Sequence, residues 1–247
     1  MNTFKKLMTL TTGLLLSCSM FQSCLDDDED NQLNYPNALV TAKTAANQTF
    51  YLQLDEATTL LPTNLQQSPY GGKEVRALVN YREVEGDVAP YTKAVFVNWI
   101  DSILTKPTVP NLFQDNDSVY GNDPVEIIND WVTIAEDGYL TLRFRTYWGP
   151  YMRPHKVNLL INNKGGNAYE VEFRHDANND LNVRPGDALV AFNLKDLPDT
   201  QGKTVKLKLK WRSFSGMKSA EFNYCTRKET RGHLVEGNET NFLKTLQ

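Results

Sequence analysis

The chain has 247 residues, of which 26 are Lys or Arg and 30 are Asp or Glu, for a formal charge of −4. That balance excludes the clustered basic surface that nucleic-acid phosphates demand, so no nucleic-acid partner is expected. Apolar residues make up 40% and aromatics 11%, enough for a sizeable core without covalent staples.

The first element is an address. Lys5 and Lys6 precede an apolar stretch over residues 7–16, and the small Ser23 precedes Cys24, the layout of a secretory signal. The stretch is shorter than the roughly 20 residues of a spanning helix, which makes it a processed signal and not a transmembrane anchor. Phe21-Gln22-Ser23-Cys24 resembles a bacterial lipobox, which implies that Cys24 is lipidated and becomes the mature N-terminus. Leu15-Leu16-Ser17-Cys18 is a second such site, but Cys24 is preferred because an unbroken acidic run, Asp26, Asp27, Asp28, Glu29 and Asp30, then begins two residues into the mature chain. That placement resembles the surface-export signal of Bacteroidetes lipoproteins. Like charges also keep a segment extended and solvated, so the run serves as a tether in either case. The expected parts are a signal peptide at residues 1–23 and an acidic tether at residues 24–34, with the protein lipid-anchored in the outer membrane and exposed on the cell surface.

The mature chain of about 220 residues suits one large β domain or two smaller ones. Phe50-Tyr51-Leu52-Gln53-Leu54 is a strand candidate, and Leu60-Leu61-Pro62 ends the stretch that follows. Pro69-Tyr70-Gly71-Gly72 is a turn. Residues 74–85 form a second strand with Val75, Ala77, Val79 and Tyr81 on one side of the pleat. Residues 93–104 form a third, in which Trp99 alternates with Val95 and Val97 as a core residue would. Short strands with polar turns suggest a small closed barrel or sandwich. Lys106-Pro107-Thr108-Val109-Pro110 marks the domain boundary, since two prolines in five residues favour an extended connector over regular structure. The expected domains are residues 35–106 and 107–247.

The second part is punctuated more sharply. Trp131-Val132-Thr133-Ile134 meets residues 139–147 across Glu136-Asp137-Gly138, and Asp-Gly between apolar alternations is a strong hairpin signal. Leu140, Leu142 and Phe144 point one way, Arg143 and Arg145 the other. Residues 156–161 and 169–174 flank Asn162-Asn163-Lys164-Gly165-Gly166 as a second hairpin. Residues 188–194 make a further strand. Val205, Leu207, Leu209 and Trp211 alternate with Lys206, Lys208, Lys210 and Arg212, and residues 219–226 close the series. Seven or so strands at this spacing argue for an antiparallel β-sandwich.

Trp148-Gly149 ending a long strand, His155-Lys156-Val157-Asn158-Leu159, Phe173-Arg174-His175-Asp176-Ala177-Asn178-Asn179-Asp180 and Ala191-Phe192-Asn193-Leu194 together resemble the NigD-like lipoproteins of Bacteroidales. The resemblance spans the mature chain and implies an all-β fold, an N-terminal OB-like small barrel followed by a C-terminal β-sandwich. It also implies a non-catalytic interaction or accessory role, associated with a bacteriocin locus.

Motifs with chemical content are few, and no catalytic residue, metal or cofactor is expected. Asp176, Asn178, Asp180 and Asp187 have the offsets of a calcium loop, but Leu181 stands where the sharp turn wants Gly. An Asn/Asp-rich turn explains the same residues. His155, His175 and His233 lack metal-ligand spacing; His155 and His175 each end a strand and read as a hydrogen-bonded structural pair. With Cys24 lipidated and Cys18 removed, Cys225 has no disulfide partner and reads as a buried, inert thiol. Carboxylates such as Glu126, Asp130, Glu136 and Asp137 exist as in any protein, and their separation is not readable from sequence, so an envelope hydrolase is only a lesser alternative. The best binding candidate is Tyr147-Trp148-Gly149-Pro150-Tyr151-Met152, where Tyr147, Trp148 and Tyr151 could stack on sugars or anchor a protein partner. The competing reading has Trp148 capping the core. The partner expected is thus the membrane, through the anchor, and an unknown protein or glycan.

Overall fold

A computed structural model describes residues 33–227 except 152, 163–165 and 182. Cys24, the acidic run at residues 26–30 and His233 lie outside the described residues.

Five strands close into a barrel: β1 (Ala38–Thr44), β2 (Phe50–Gln53), β3 (Thr59–Pro62), β4 (Val75–Val84) and β5 (Lys93–Ser102), in the order β1-β2-β3-β5-β4. The β3–β5 pair is parallel and the others antiparallel. Val40, Ala42, Phe50, Leu52, Leu60, Ala77, Val79, Val95 and Val97 fill the interior. The alternation expected of β4 is present, but that of β5 breaks. A bulge beside Asn80 and Tyr81 sets Asn80 opposite Trp99 and Tyr81 opposite Val97. The extra residue reverses the faces beyond it, so Ile100 packs on the core and Trp99 is only half-buried. The expectation of a core Trp99 is corrected on that ground.

The second part is a sandwich of two five-stranded sheets. One contains β6 (Leu104–Pro107), β8 (Glu126–Ile128), β9 (Ile134–Glu136), β10 (Tyr139–Trp148) and β13 (Arg184–Asn193); the other contains β7 (Val109–Pro110), β11 (Lys156–Ile161), β12 (Glu170–Asp176), β14 (Val205–Ser213) and β15 (Gly216–Tyr224). Between β7 and β8 lie a single 3₁₀ turn and the five-residue helix α1 (Asn116–Tyr120). The hairpin pairs β9–β10, β11–β12 and β14–β15 are antiparallel, as is β10–β13, whereas β6–β13, β7–β11 and β12–β14 are parallel. The Asp137-Gly138 turn has φ of 48° and 75°, the positive pair that a two-residue hairpin loop requires.

The proline-flanked segment expected as a bare connector is extended but hydrogen-bonded. Its first half joins one sheet and its second half the other, so it straps the sandwich together. Each proline ends its strand, where a missing N–H disturbs the ladder least.

The sandwich core holds Leu140, Leu142, Phe144, Leu159, Val171, Phe173, Val190, Phe192, Leu207, Leu209 and Trp211. Barrel and sandwich belong to one compact unit that begins at Pro36. Leu39 and Ile103 meet Val132, Tyr139 and Ala191 in a third apolar cluster at their seam. Buried polar contacts accompany it. The fully buried Arg76 donates to Thr41 Oγ1 at 3.0 Å, Glu136 Oε2 at 3.1 Å and Thr141 Oγ1 at 3.4 Å. Lys43 Nζ reaches Asp137 at 2.8 Å. Glu74 Oε1 accepts from Tyr139 at 2.6 Å and from Arg227 at 2.5 Å.

Candidate functional site

Strand β10 delivers the aromatic segment to one end of the sandwich, and its pleat divides it. Leu140, Leu142 and Phe144 face the core, so Trp148 continues the inner row while Tyr147 joins Arg143 and Arg145 on the outer face. Tyr147 is exposed and packs edge-on against Phe214 at 5.3 Å. Tyr151 is exposed beyond the strand end, with the Arg153 guanidinium 5.2 Å from its ring centre. The three candidate aromatics therefore share an end of the domain without forming one platform. Met152, the last residue of the motif, lies outside the described residues.

Trp148 is fixed from two sides. Its indole stacks on the His155 ring, centroids 4.0 Å apart and planes 19° from parallel. On β13, Thr146 pairs with Gly186 and Trp148 with Arg184, so the indole crosses diagonally over Gly186. A Cβ at Gly186 would stand 2.6 Å from the indole nitrogen, so only glycine admits the ring there.

His155 belongs to a polar chain beneath the indole. Its Nε2 meets the Asp180 carbonyl at 3.1 Å, and its Nδ1 lies 2.9 Å from His175 Nε2. A carbonyl only accepts, so His155 Nε2 carries the hydrogen and His155 Nδ1 accepts from His175 Nε2–H. His175 Nδ1 is then a bare acceptor, and it is buried without a hydrogen-bond partner. Burial and the neighbouring His155 push the His175 pKa down to about 4, against the pull of Asp123 and Asp176. The hydrogen-bonded pair expected from the strand ends is therefore present, and both rings are occupied in packing.

Asp180 organises the turn after β10. Its fully buried carboxylate accepts from the Tyr151 amide at 3.1 Å and the Arg153 amide at 2.7 Å, and its carbonyl accepts from Gly149 N–H at 2.8 Å. A side chain at Gly149 would collide with Asp180. The calcium-type spacing thus resolves into separate duties. Asp176 caps the Asn178 amide at 2.8 Å, Asn178 and Asn179 take positive φ, and Asp187 pairs with Arg143 and Arg145 on the outer face. Among the described residues no three His, Cys, Asp or Glu side chains assemble as a metal site. Cys225, expected to be buried, is only half-buried because it lies just past the end of β15, its Sγ 3.6 Å from Thr200 Oγ1.

Trp148, Arg153, Pro154, Arg184, Pro185 and Gly186 line a groove of about 440 Å³ at this end. Sequence reasoning missed Arg184, Pro185 and Gly186. Nothing local marks them; only the β10–β13 register puts them beside Trp148. A second cavity, about 390 Å³, lies on the barrel beside Phe50, Leu61 and Pro62.

Residues 39–103 match the NigD-like N-terminal OB domain and residues 107–224 the NigD-like C-terminal beta sandwich domain. No curated protein matches the chain. Among solved structures, a protein of Parabacteroides distasonis described as toxin-related is 36% identical, covering 76% of this chain and 92% of its own, with a TM-score of 0.66. A protein of unknown function from Bacteroides vulgatus is 22% identical over 76% of this chain and 89% of its own, TM-score 0.60. A NigD-like immunity protein of Bacteroides caccae shares the fold at 18% identity, over 76% of this chain and 96% of its own, TM-score 0.55. With both halves matched and a relative this similar, the chain belongs to the NigD-like family, an OB domain followed by a β-sandwich.

Proposed function

We propose that this chain is a lipid-anchored, non-catalytic interaction protein of the outer membrane, attached at Cys24 and carried to the cell surface by residues 26–30. In this reading the sandwich, residues 107–247, meets the partner and the barrel, residues 35–106, holds it off the membrane. The observation that carries it is the sandwich end. Tyr147 and Tyr151, 41% and 72% exposed, stand on a frame pinned by Asp180 and the histidine pair. Exposed aromatics on a rigid frame are what interface hot spots use. His155, His175 and Asp180, the groups best suited to acid–base chemistry there, are committed to that frame.

The role is an accessory or immunity-type one, in keeping with the relatives described as an immunity protein and as toxin-related. Two acyl chains make such an anchor stable where one is marginal. Protease shaving of intact cells tests the address. The wild-type chain is lost, while a version with residues 26–30 changed to Ser and Gly survives. Protection of both, beside a shaved surface control, would place the chain facing the periplasm and overturn the reading.

A second reading, a glycan-binding module, is favoured by the groove that runs along Trp148.

A further inference from the structure

We infer that the groove beside Trp148 binds an oligosaccharide bearing a carboxylate, with a uronic or sialic acid as the recognised unit. The inference rests on the glycan-binding reading of the sandwich end and adds the ligand class. The groove's volume, about 440 Å³, is that of a small-molecule site. Its apolar lining is Trp148, Pro154 and Pro185, with Gly186 seating the indole. Such a surface suits the apolar C–H face of a sugar ring. Two arginines, Arg153 and Arg184, are among its lining residues.

Arg184 is the direct cross-strand partner of Trp148, so both side chains project from the same face of the sheet. Arg153 is placed by its own amide, held by Asp180, and by a 3.2 Å hydrogen bond from its guanidinium to the Asn178 carbonyl. Among the described residues neither arginine has a carboxylate partner. A guanidinium fork binds a carboxylate through two parallel hydrogen bonds, stronger than those to neutral hydroxyls. An apolar ligand would cover these charges without pairing them, which is costly. A neutral sugar would use the indole and leave Arg184 without a carboxylate, while Arg153 already donates to the Asn178 carbonyl and lies over the Tyr151 ring. Nucleic acid is disfavoured by the chain's charge of −4, since two arginines cannot offset the repulsion of a polyanion.

The site is also preorganised. His155 and Gly186 fix the indole, Asp180 fixes the turn, and two prolines stiffen the walls, so binding orders little.

Calorimetric titration of the full-length protein in a non-ionic detergent tests this. The probes are tetragalacturonate, a glucuronate-ended tetrasaccharide, a sialic-acid-ended tetrasaccharide and the methyl ester of each. At least one acid binds saturably, and its ester binds about tenfold or more weakly, the loss of a charge-assisted pair. Arg184→Gln reproduces that loss while keeping the wild-type melting temperature, because Arg184 is exposed at a strand start. Trp148→Phe, which keeps an aromatic face, weakens acid and ester in parallel. No saturable binding of any acid, equal affinity for acid and ester, or an unaffected Arg184→Gln would each overturn the inference. Failure here leaves the surface-display reading untouched, since shaving depends on residues 24–30. A chain protected from shaving that still binds the acid keeps this site and loses only its address.

Discussion

His175 is the residue whose surroundings make the sharpest demand on solution conditions. Its ring is 1% exposed, donates to His155 and keeps a bare Nδ1 in the core. With a folded pKa near 4 and an unfolded value near 6.5, the unfolded chain takes up a proton that the folded chain refuses. Its contribution to stability is complete above pH 6.5, declines as pH falls, and is lost once pH passes about 4. Over that window it amounts to at most ~3 kcal/mol. Urea unfolding between pH 4 and 7.5 should show the slope, and His175→Phe should flatten it, whatever the variant costs at neutral pH. An unchanged slope would assign the acid sensitivity to other groups. Asp180 makes a different kind of demand. Its buried carboxylate satisfies two amides, so Asp180→Ala leaves both unpaired and should cost about 2–4 kcal/mol in a chemical melt.

At the scale of the element, the long strands were legible because one face of each packs and the other meets water. Leu140, Leu142 and Phe144 against Arg143 and Arg145 is such a pattern, as is Leu207, Leu209 and Trp211 against the lysines of β14. The Asp137-Gly138 turn was legible for a chemical reason, since few residues tolerate its two positive φ values. Strands β1, β3, β6, β7 and β8 were not. The last four have four residues or fewer, too short for a period to show, and each is defined by the partner it joins, while β1 is buried on both faces and so carries no alternation to read. Trp99 was misread because a bulge is a property of a strand pair and leaves no mark in one strand alone. The candidate site follows the same division. Tyr147, Trp148 and Tyr151 were visible as a cluster, but adjacent strand residues face opposite ways, so Tyr147 and Trp148 cannot share a surface. Gly186 was invisible, though the seating of Trp148 depends on it. Gly186→Ala should displace the indole from His155, cost about 1–3 kcal/mol by overpacking and change the tryptophan emission. The same substitution in a Trp148→Phe background should alter emission far less, which identifies the ring that moved.

For the whole molecule the question is whether the barrel and sandwich melt as one body. Their seam combines the apolar cluster of Leu39, Ile103, Val132, Tyr139 and Ala191 with charges that neither part satisfies alone. Arg76 comes from β4 of the barrel, while Glu136 and Thr141, two of its three partners, come from β9 and β10 of the sandwich. Lys43 and Asp137 repeat the arrangement, as do Glu74 and Tyr139. Burial depresses the Lys43 pKa in spite of Asp137 and raises that of Glu136 in spite of Arg76, so both groups are charged at a cost that only their partners offset. Separating the two parts would expose the apolar cluster and at once break the contacts of Arg76 with Glu136 and Thr141, of Lys43 with Asp137 and of Glu74 with Tyr139. The wild-type chain should therefore unfold in one calorimetric transition. Arg76→Ala leaves Glu136 half-buried without its cation and should cost about 3–5 kcal/mol. Because that loss falls on the seam, the variant should melt in two steps, the barrel separately from the sandwich. Arg76→Met with Glu136→Gln removes both charges while keeping bulk, and should recover most of the stability and the single transition. Two transitions already present in the wild type would mean that the seam is too weak to couple the parts, and that the buried charges serve registry alone.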